Sequence, residues 1–188
     1  MTVKQTYVYW SQCKWKEITF LLAATDQGLS YVSSPNAHFN ELEQWVQKKV
    51  PNPILMNIPE KLFKASNQIH AYLDEKRTDF SLALDIIGTS FQKKVWQSMC
   101  KIPYGQKATY SDIANDIGNK QAVRAVGTAI GANPLMIILP CHRVVAKTGA
   151  LTGFRGGLEM KKMLLALEEH HMETNESQHK MKHENGFH

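Results

Sequence analysis

The hydrophobic period of the chain changes at Gly88, and that change limits the folds open to it. Before Gly88 the pattern is mixed, with strands first. Tyr7-Val8-Tyr9-Trp10 suits a pleated, half-buried segment, and Ile18 to Ala24 is a second apolar run. Asp26-Gln27-Gly28 has turn chemistry, and Leu29-Ser30-Tyr31-Val32 is the returning strand of a hairpin. Phe39 to Val50 has helical spacing, with Leu42, Trp45 and Val46 on one face, and Pro51 and Pro53 punctuate it. Pro59 to Leu73 reads as a helix and Phe80 to Ile87 as a strand. After Gly88 the period is helical. Thr89 or Ser90 can cap a helix that uses Phe91, Val95, Trp96 and Met99, and Ile102-Pro103-Tyr104-Gly105 breaks it. Thr109 can cap Tyr110 to Ile117, Gly118-Asn119-Lys120 is a tight turn, and Gln121 to Gly131 is the next helix. Leu158 to Glu169 is the last helix, with Met163, Leu164 and Leu167 inward. The pattern predicts a small α/β domain over 1–87 and a mainly helical domain over 88–169. The polar tail 170–188, with five of the eight histidines, reads as disordered.

Two short helices joined by a Gly-containing turn fit a helix-turn-helix, whose second helix enters a DNA groove. Charge bears on that reading. Residues 88–168 hold 11 Lys+Arg against 4 Asp+Glu, residues 1–87 hold 9 of each, and residues 169–188 hold 2 against 4. The positive excess sits with the helix pair, as a polyanion partner requires, although a soluble basic surface accounts for it as well. Ala122, Ala125, Gly127, Ala129 and Gly131 in the second helix would let a backbone approach a duplex closely. They would equally let two helices pack tightly.

No apolar run approaches the roughly 20 residues that cross a bilayer. The N-terminus has neither the apolar stretch nor the cleavage site of a signal peptide. A soluble, cytoplasmic monomer is expected. The three cysteines, Cys13, Cys100 and Cys141, are odd in number and form no CxxC pair. They argue against a disulfide framework and a cysteine-rich zinc site, and no metal is expected.

Pro140-Cys141-His142-Arg143 is where chemistry concentrates. A cysteine is a strong nucleophile only as a thiolate, which calls for a base and a group that orients the base. Outside the tail the histidines are His38, His70 and His142, so His142 is the economical base. Neighbours in an extended segment point opposite ways, so one water is the plausible relay between Cys141 and His142. Of Asp112, Asp116, Glu159 and Glu168, the best acid behind the histidine is Glu168, beside the inward Leu164 and Leu167. The same pair also fits an ordinary buried cysteine.

Leu139-Pro140-Cys141-His142-Arg143-Val144-Val145 resembles the active-site signature of the O6-alkylguanine-DNA alkyltransferases. Gly88-Thr89-Ser90-Phe91-Gln92 with Val95-Trp96, Ile102-Pro103-Tyr104-Gly105, Arg124-Ala125-Val126-Gly127 and Asn133-Pro134 resemble that family's motifs before the cysteine. Gly153-Phe154-Arg155-Gly156-Gly157 and Leu164-Leu165-Ala166-Leu167-Glu168 resemble those after it. The likeness covers residues 85–168, and residues 1–84 match in general layout only.

The resemblance implies a ribonuclease-H-like α/β domain followed by a winged-helix-like DNA-binding domain that carries the active site. It implies repair of O6-alkylguanine, chiefly O6-methylguanine, in double-stranded DNA, with O4-methylthymine left open. The base would be swung out of the stack and its alkyl group moved irreversibly to Cys141, without a cofactor. By their matches, Cys141, His142, Glu168, Tyr110 and Asn133 would be catalytic. Tyr110 would donate toward N3 of the base, and Asn133 would hold the turn before the active-site strand. Arg124 would fill the gap in the stack from the minor groove, with Ala122, Ala125 and Ala129 letting its helix sit deep there. Tyr110, Ser111, Asn119, Lys120, Ala125 and Lys147 would also meet DNA, with Lys107, Lys120 and Lys147 on phosphates. Met136, Phe154, Arg155 and Gly156 would line the substrate pocket, and Arg143 would serve structure or charge. Ala108, Phe154 and Met163 depart from common family residues, which leaves the range of alkyl sizes open. The alternative is a non-catalytic binder of alkylated DNA; such relatives usually carry Trp in place of the nucleophile, whereas this chain has Cys141.

Overall fold

The computed structural model describes the backbone of residues 5–184 and the side chains through residue 174. Strands β1 (Thr6–Trp15), β2 (Ile18–Thr25) and β3 (Gly28–Val32) form an antiparallel meander. Gly28, at φ 149°, admits no side chain, because a Cβ there would lie 2.4 Å from the carbonyl oxygen of Ala83. Helix α1 (Phe39–Lys49) then leads to β4 (Pro53–Asn57), which pairs parallel with β1 and gives the order β3-β2-β1-β4. Sequence alone offers no strand there, since the prolines look like loop punctuation. Pro53 is tolerated because it opens an edge strand.

Alternation in β2 sets the layers. Leu21 and Ala23 face one side, where they meet Leu42, Val46 and Val50 in and just after α1. Phe20, Leu22 and Ala24 face the other. That side meets a 3-10 turn (Pro59–Leu62), α2 (Phe63–Leu73) and the apolar residues that follow Gly88, all in one hydrophobic cluster. The two parts of the chain therefore share a core. Residues 80–87, expected as a strand, pair only through an isolated bridge between Leu29 and Leu84. Two backbone bonds with Leu29 are all the ladder there is.

Helices α3 (Ser90–Met99) and α4 (Tyr110–Asp116) each start with a capping box, Thr89 with Gln92 and Thr109 with Asp112. The short strands β5 (Ala108–Thr109) and β6 (Val144–Val145) pair in parallel and bring the start of α4 beside the residues after Cys141. A turn with Gly118 at φ 74° leads into α5 (Val123–Gly131).

The last helix, α6 (Leu158–Glu184), corrects the expected disordered tail: it runs on through 170–184, and residues 185–188 lie outside the described residues. The first turn past Glu169 has tertiary partners that composition does not reveal. His170 Nδ1 meets Glu75 Oε2 at 2.7 Å, and the His171 ring lies edge-on to Tyr104. Among the described residues no helix is long and apolar enough to cross a membrane.

Candidate active site

Helix α5 ends at Gly131, and Asn133 turns the chain toward Cys141. The Asn133 Oδ1 accepts from the Leu135 N–H at 2.9 Å. Its Nδ2 donates to the Leu139 carbonyl at 2.9 Å and to Cys141 Sγ at 3.1 Å. One buried amide thus closes the loop 133–141 and aims a donor at sulfur. Within that loop Ile137 holds φ 74°, a region that a β-branched residue seldom enters. The sheet braces the same loop, because the Val32 N–H donates to the Pro134 carbonyl at 2.8 Å.

Cys141 opens a short 3-10 turn and is 6% exposed, at the floor of a narrow cleft. Ile130, Gly131, Asn133, Met136, Gly153, Phe154 and Arg155 line the cleft, whose volume is about 10 Å³. That is room for about one water. Burial pushes the Cys141 thiol up, while the Asn133 donor and the charges of Arg155 and Lys161 act the other way.

Behind the cysteine lies a buried ionic network. His142 Nε2 meets Glu168 Oε1 at 2.8 Å, and both side chains are buried. His142 Nδ1 has no hydrogen-bond partner. Arg143 grips the same carboxylate, with Nε at 3.1 and 3.0 Å from its two oxygens and Nη2 at 3.0 Å from Oε1. The Ile102-Pro103-Tyr104-Gly105 turn completes the clamp. The Ile102 carbonyl accepts from Arg143 Nη1 at 2.7 Å, and the Gly105 N–H donates to Glu168 Oε2 at 2.8 Å. Burial pushes the Glu168 carboxyl up, but the bonds from His142, Arg143 and Tyr72 outweigh it and bring the pKa down to about 2. Burial lowers the pKa of His142, against the pull of Glu168. The imidazole is therefore neutral at neutral pH, with its Nε2 proton directed at Glu168 and its Nδ1 lone pair free.

The expected pocket residues come together in part. Met136 and Phe154 line the cleft, and Gly156 stands directly behind them, where a Cβ would lie 2.7 Å from both Met136 Sδ and Phe154 Cε1. Arg155 lines the cleft as well. Its guanidinium turns to the N-terminal half, to Tyr31 Oη at 3.0 Å, Glu41 Oε1 at 3.3 Å and the Val32 carbonyl. A charged fork finds better acceptors there than in an apolar slot.

On the outer face, Arg124, Ala125, Asn119, Lys120 and Lys147 are exposed, and Ser111 and Tyr110 are half-buried. Tyr110 Oη donates to the Thr152 carbonyl at 3.3 Å. Ala129, expected toward a groove, is buried, and its carbonyl accepts from Trp96 Nε1 at 2.8 Å. Lys107, expected on a phosphate, is paired with Glu169 at 2.5 Å.

The family model for the DNA-binding domain of 6-O-methylguanine DNA methyltransferase matches residues 90–170. The inducible methylated-DNA–protein-cysteine methyltransferase of Bacillus subtilis is 48% identical over 89% of this chain and 94% of its own length. The chain belongs to the methylated-DNA–protein-cysteine methyltransferase family. A second methyltransferase of the family, from Methanosarcina barkeri, is 42% identical over 81% of this chain and 91% of its own. The crystal structure of Mycobacterium tuberculosis OGT in complex with DNA superposes with a TM-score of 0.70 at 33% identity, covering 88% of this chain and 94% of that one.

In this methyltransferase two buried side chains join the network without having been singled out from sequence. Lys161 donates to the Val144 carbonyl at 2.6 Å and the Thr152 carbonyl at 3.0 Å, joining the cleft wall to the strand after Cys141. A signal existed, because Lys161, Leu164 and Glu168 share one face of α6 at helical spacing. Tyr72, on α2, donates from its hydroxyl to Glu168 Oε1. Its place on the inward stripe with Ala65 and Ile69 marks it as buried, but nothing near it in sequence names its partner.

Proposed function

We propose that this methyltransferase repairs O6-alkylguanine in double-stranded DNA by taking the alkyl group onto Cys141 Sγ, once per molecule. One observation carries the reading. His142, next in sequence to Cys141, commits Nε2 to Glu168 and keeps Nδ1 free. In the mechanism Nδ1 draws the thiol proton through one water, as a base held in a fixed tautomer can. The Asn133 amide steadies the sulfur as negative charge grows on it. Sulfur attacks the alkyl carbon in line, the S–C bond forms as the C–O6 bond breaks, and guanine leaves with the bonding pair. Tyr110 donates toward N3 as charge builds on the base. The thioether has no activated leaving group, so the protein is spent.

A cleft with room for one water does not admit a purine, so the wall at Gly153 and Phe154 gives way when the base enters, while Arg155 stays anchored. Arg124, exposed on α5, fills the vacated stack, with Ala125 beside it allowing close approach. Ser111, Asn119, Lys120 and Lys147, none of them buried, meet the DNA as well, and Met136, Phe154 and Gly156 shape the space for the alkyl group. The experiment is to incubate the chain with duplex DNA carrying O6-methylguanine and weigh the protein and its peptides. One added methyl on the Cys141 peptide, capped at one per molecule, is expected. Methylation at Cys13 or Cys100, or repeated turnover, would overturn the reading. Arg124→Ala should slow repair in duplex DNA far more than reaction with a free alkylguanine base.

A further inference from the structure

Among the described residues, the hydrogen-bonding and charged partners of His142 come from the C-terminal half of the chain, with one exception. Tyr72 reaches in from α2, fully buried, and its hydroxyl lies 3.2 Å from His142 Nε2 while donating to Glu168 Oε1. Its ring is seated between Phe80, at 5.1 Å between centroids, and Tyr104, at 5.9 Å. A ring seated this way would fill the space equally well without a hydroxyl. We propose that Tyr72 is a positioning residue for alkyl transfer: its hydroxyl holds Glu168 against Nε2 of His142 and keeps Nδ1 as the face that takes the thiol proton. The proposal rests on the alkyl-transfer reading given above.

The charged and titratable groups that act on the imidazole come from three places. Glu168 and Lys161 lie on α6, Tyr72 on α2, and Arg143 in its own segment. Lys161 and Arg143 oppose a second proton on His142, and Glu168 favours it. Burial and the neighbouring carboxylate keep the Tyr72 proton on its oxygen, so the hydroxyl donates in one direction only. Each donor to Glu168 absorbs part of its charge. Without the hydroxyl the carboxylate turns more of its charge on His142, the imidazole binds a proton more readily, and the base is free over a narrower range of pH.

Tyr72→Phe keeps the ring and its packing. Transfer to Cys141 is timed in the full chain from about pH 5 to about pH 9, with O6-methylguanine in duplex DNA and separately with a free O6-alkylguanine base. The acid limb of the rate is expected to move up by about one pH unit, slowing transfer at the foot of the limb on the order of tenfold for both substrates. The His142 ring nitrogens, followed by NMR, should titrate at correspondingly higher pH. An unmoved limb and an unmoved His142 titration overturn the positioning role, whatever the change in thermal stability. Slowing confined to duplex DNA overturns it too. A wild-type chain that left Cys141 unmodified would instead remove the alkyl-transfer reading beneath it.

Discussion

Glu168 is a carboxylate kept charged inside the protein, and this has a measurable consequence. Burial favours the neutral form, but the donors around it win and hold its pKa at about 2 against the ordinary 4.5. A lowered carboxyl pKa contributes stability that is complete above the unfolded value and is lost as pH falls through the folded one. His142 adds to the trend by the opposite route. Its pKa lies below 6.5, so the unfolded chain takes up that proton first and stability falls as pH drops below 6.5. Urea unfolding at a series of pH values should show stability declining below about pH 6.5, with about 3 kcal/mol of further loss between roughly 4.5 and 2. A flat profile would mean that the network does not persist in solution. Asn133 makes a second case. Asn133→Ala leaves the Leu135 N–H without its acceptor, takes one of two donors from the Leu139 carbonyl and removes the donor at Cys141 Sγ. It should cost about 2 to 4 kcal/mol in denaturant unfolding. The pH at which the Cys141 thiol reacts with iodoacetamide should rise, and an unchanged thiol titration would show that the amide does not act on sulfur.

Among the elements, α5 carries the small residues that suggested a helix built for a groove, and the structure sorts them. Ala125 is exposed beside Arg124, Ala129 is buried, and Gly127 faces the Tyr110 ring. A Cβ at Gly127 would meet that ring at 3.8 Å, an ordinary contact. Gly127→Ala should therefore stabilise the protein by about 0.5 to 1 kcal/mol in thermal unfolding, because alanine gives up less backbone freedom in a helix. Gly156, directly behind the cleft wall, is the reverse case. Its Cβ would crowd Met136 and Phe154. Gly156→Ala should push Phe154 over Cys141 and slow labelling of that thiol, and an unchanged labelling rate would show that the ring yields outward instead. The caps of α3 and α4 were legible to within a residue, Thr89 or Ser90 and Thr109, while the reciprocal bonds from Gln92 and Asp112 that make them capping boxes came from the structure.

At the scale of the whole molecule, the N-terminal half is part of the site and not a separate support. The C-terminal half buries its apolar side against Phe20, Leu22, Ile69 and Tyr72, and Arg155 ties the cleft wall to β3 and α1. Residues 88–184 expressed alone should lose cooperative unfolding and near-ultraviolet circular dichroism, since that apolar side would face water. What the sequence by itself determined is local: the β1 to β3 meander, the starts of α1, α3, α4 and α6, and the order of motifs around Cys141. Cys141, His142, Asn133 and Glu168 were legible as a set through family resemblance, and the structure pairs Asn133 with Cys141 and His142 with Glu168 at hydrogen-bond distance. Tertiary structure alone decided β4, the bridge at Leu84, the continuation of α6, the turning of Arg155 and the entry of Tyr72. The reason is separation along the chain. A cap or hairpin is specified by neighbours, whereas Tyr72 finds His142 across 70 residues and Glu168 across 96. Contacts that distant exist only once the sheet and the helices have packed on a common core.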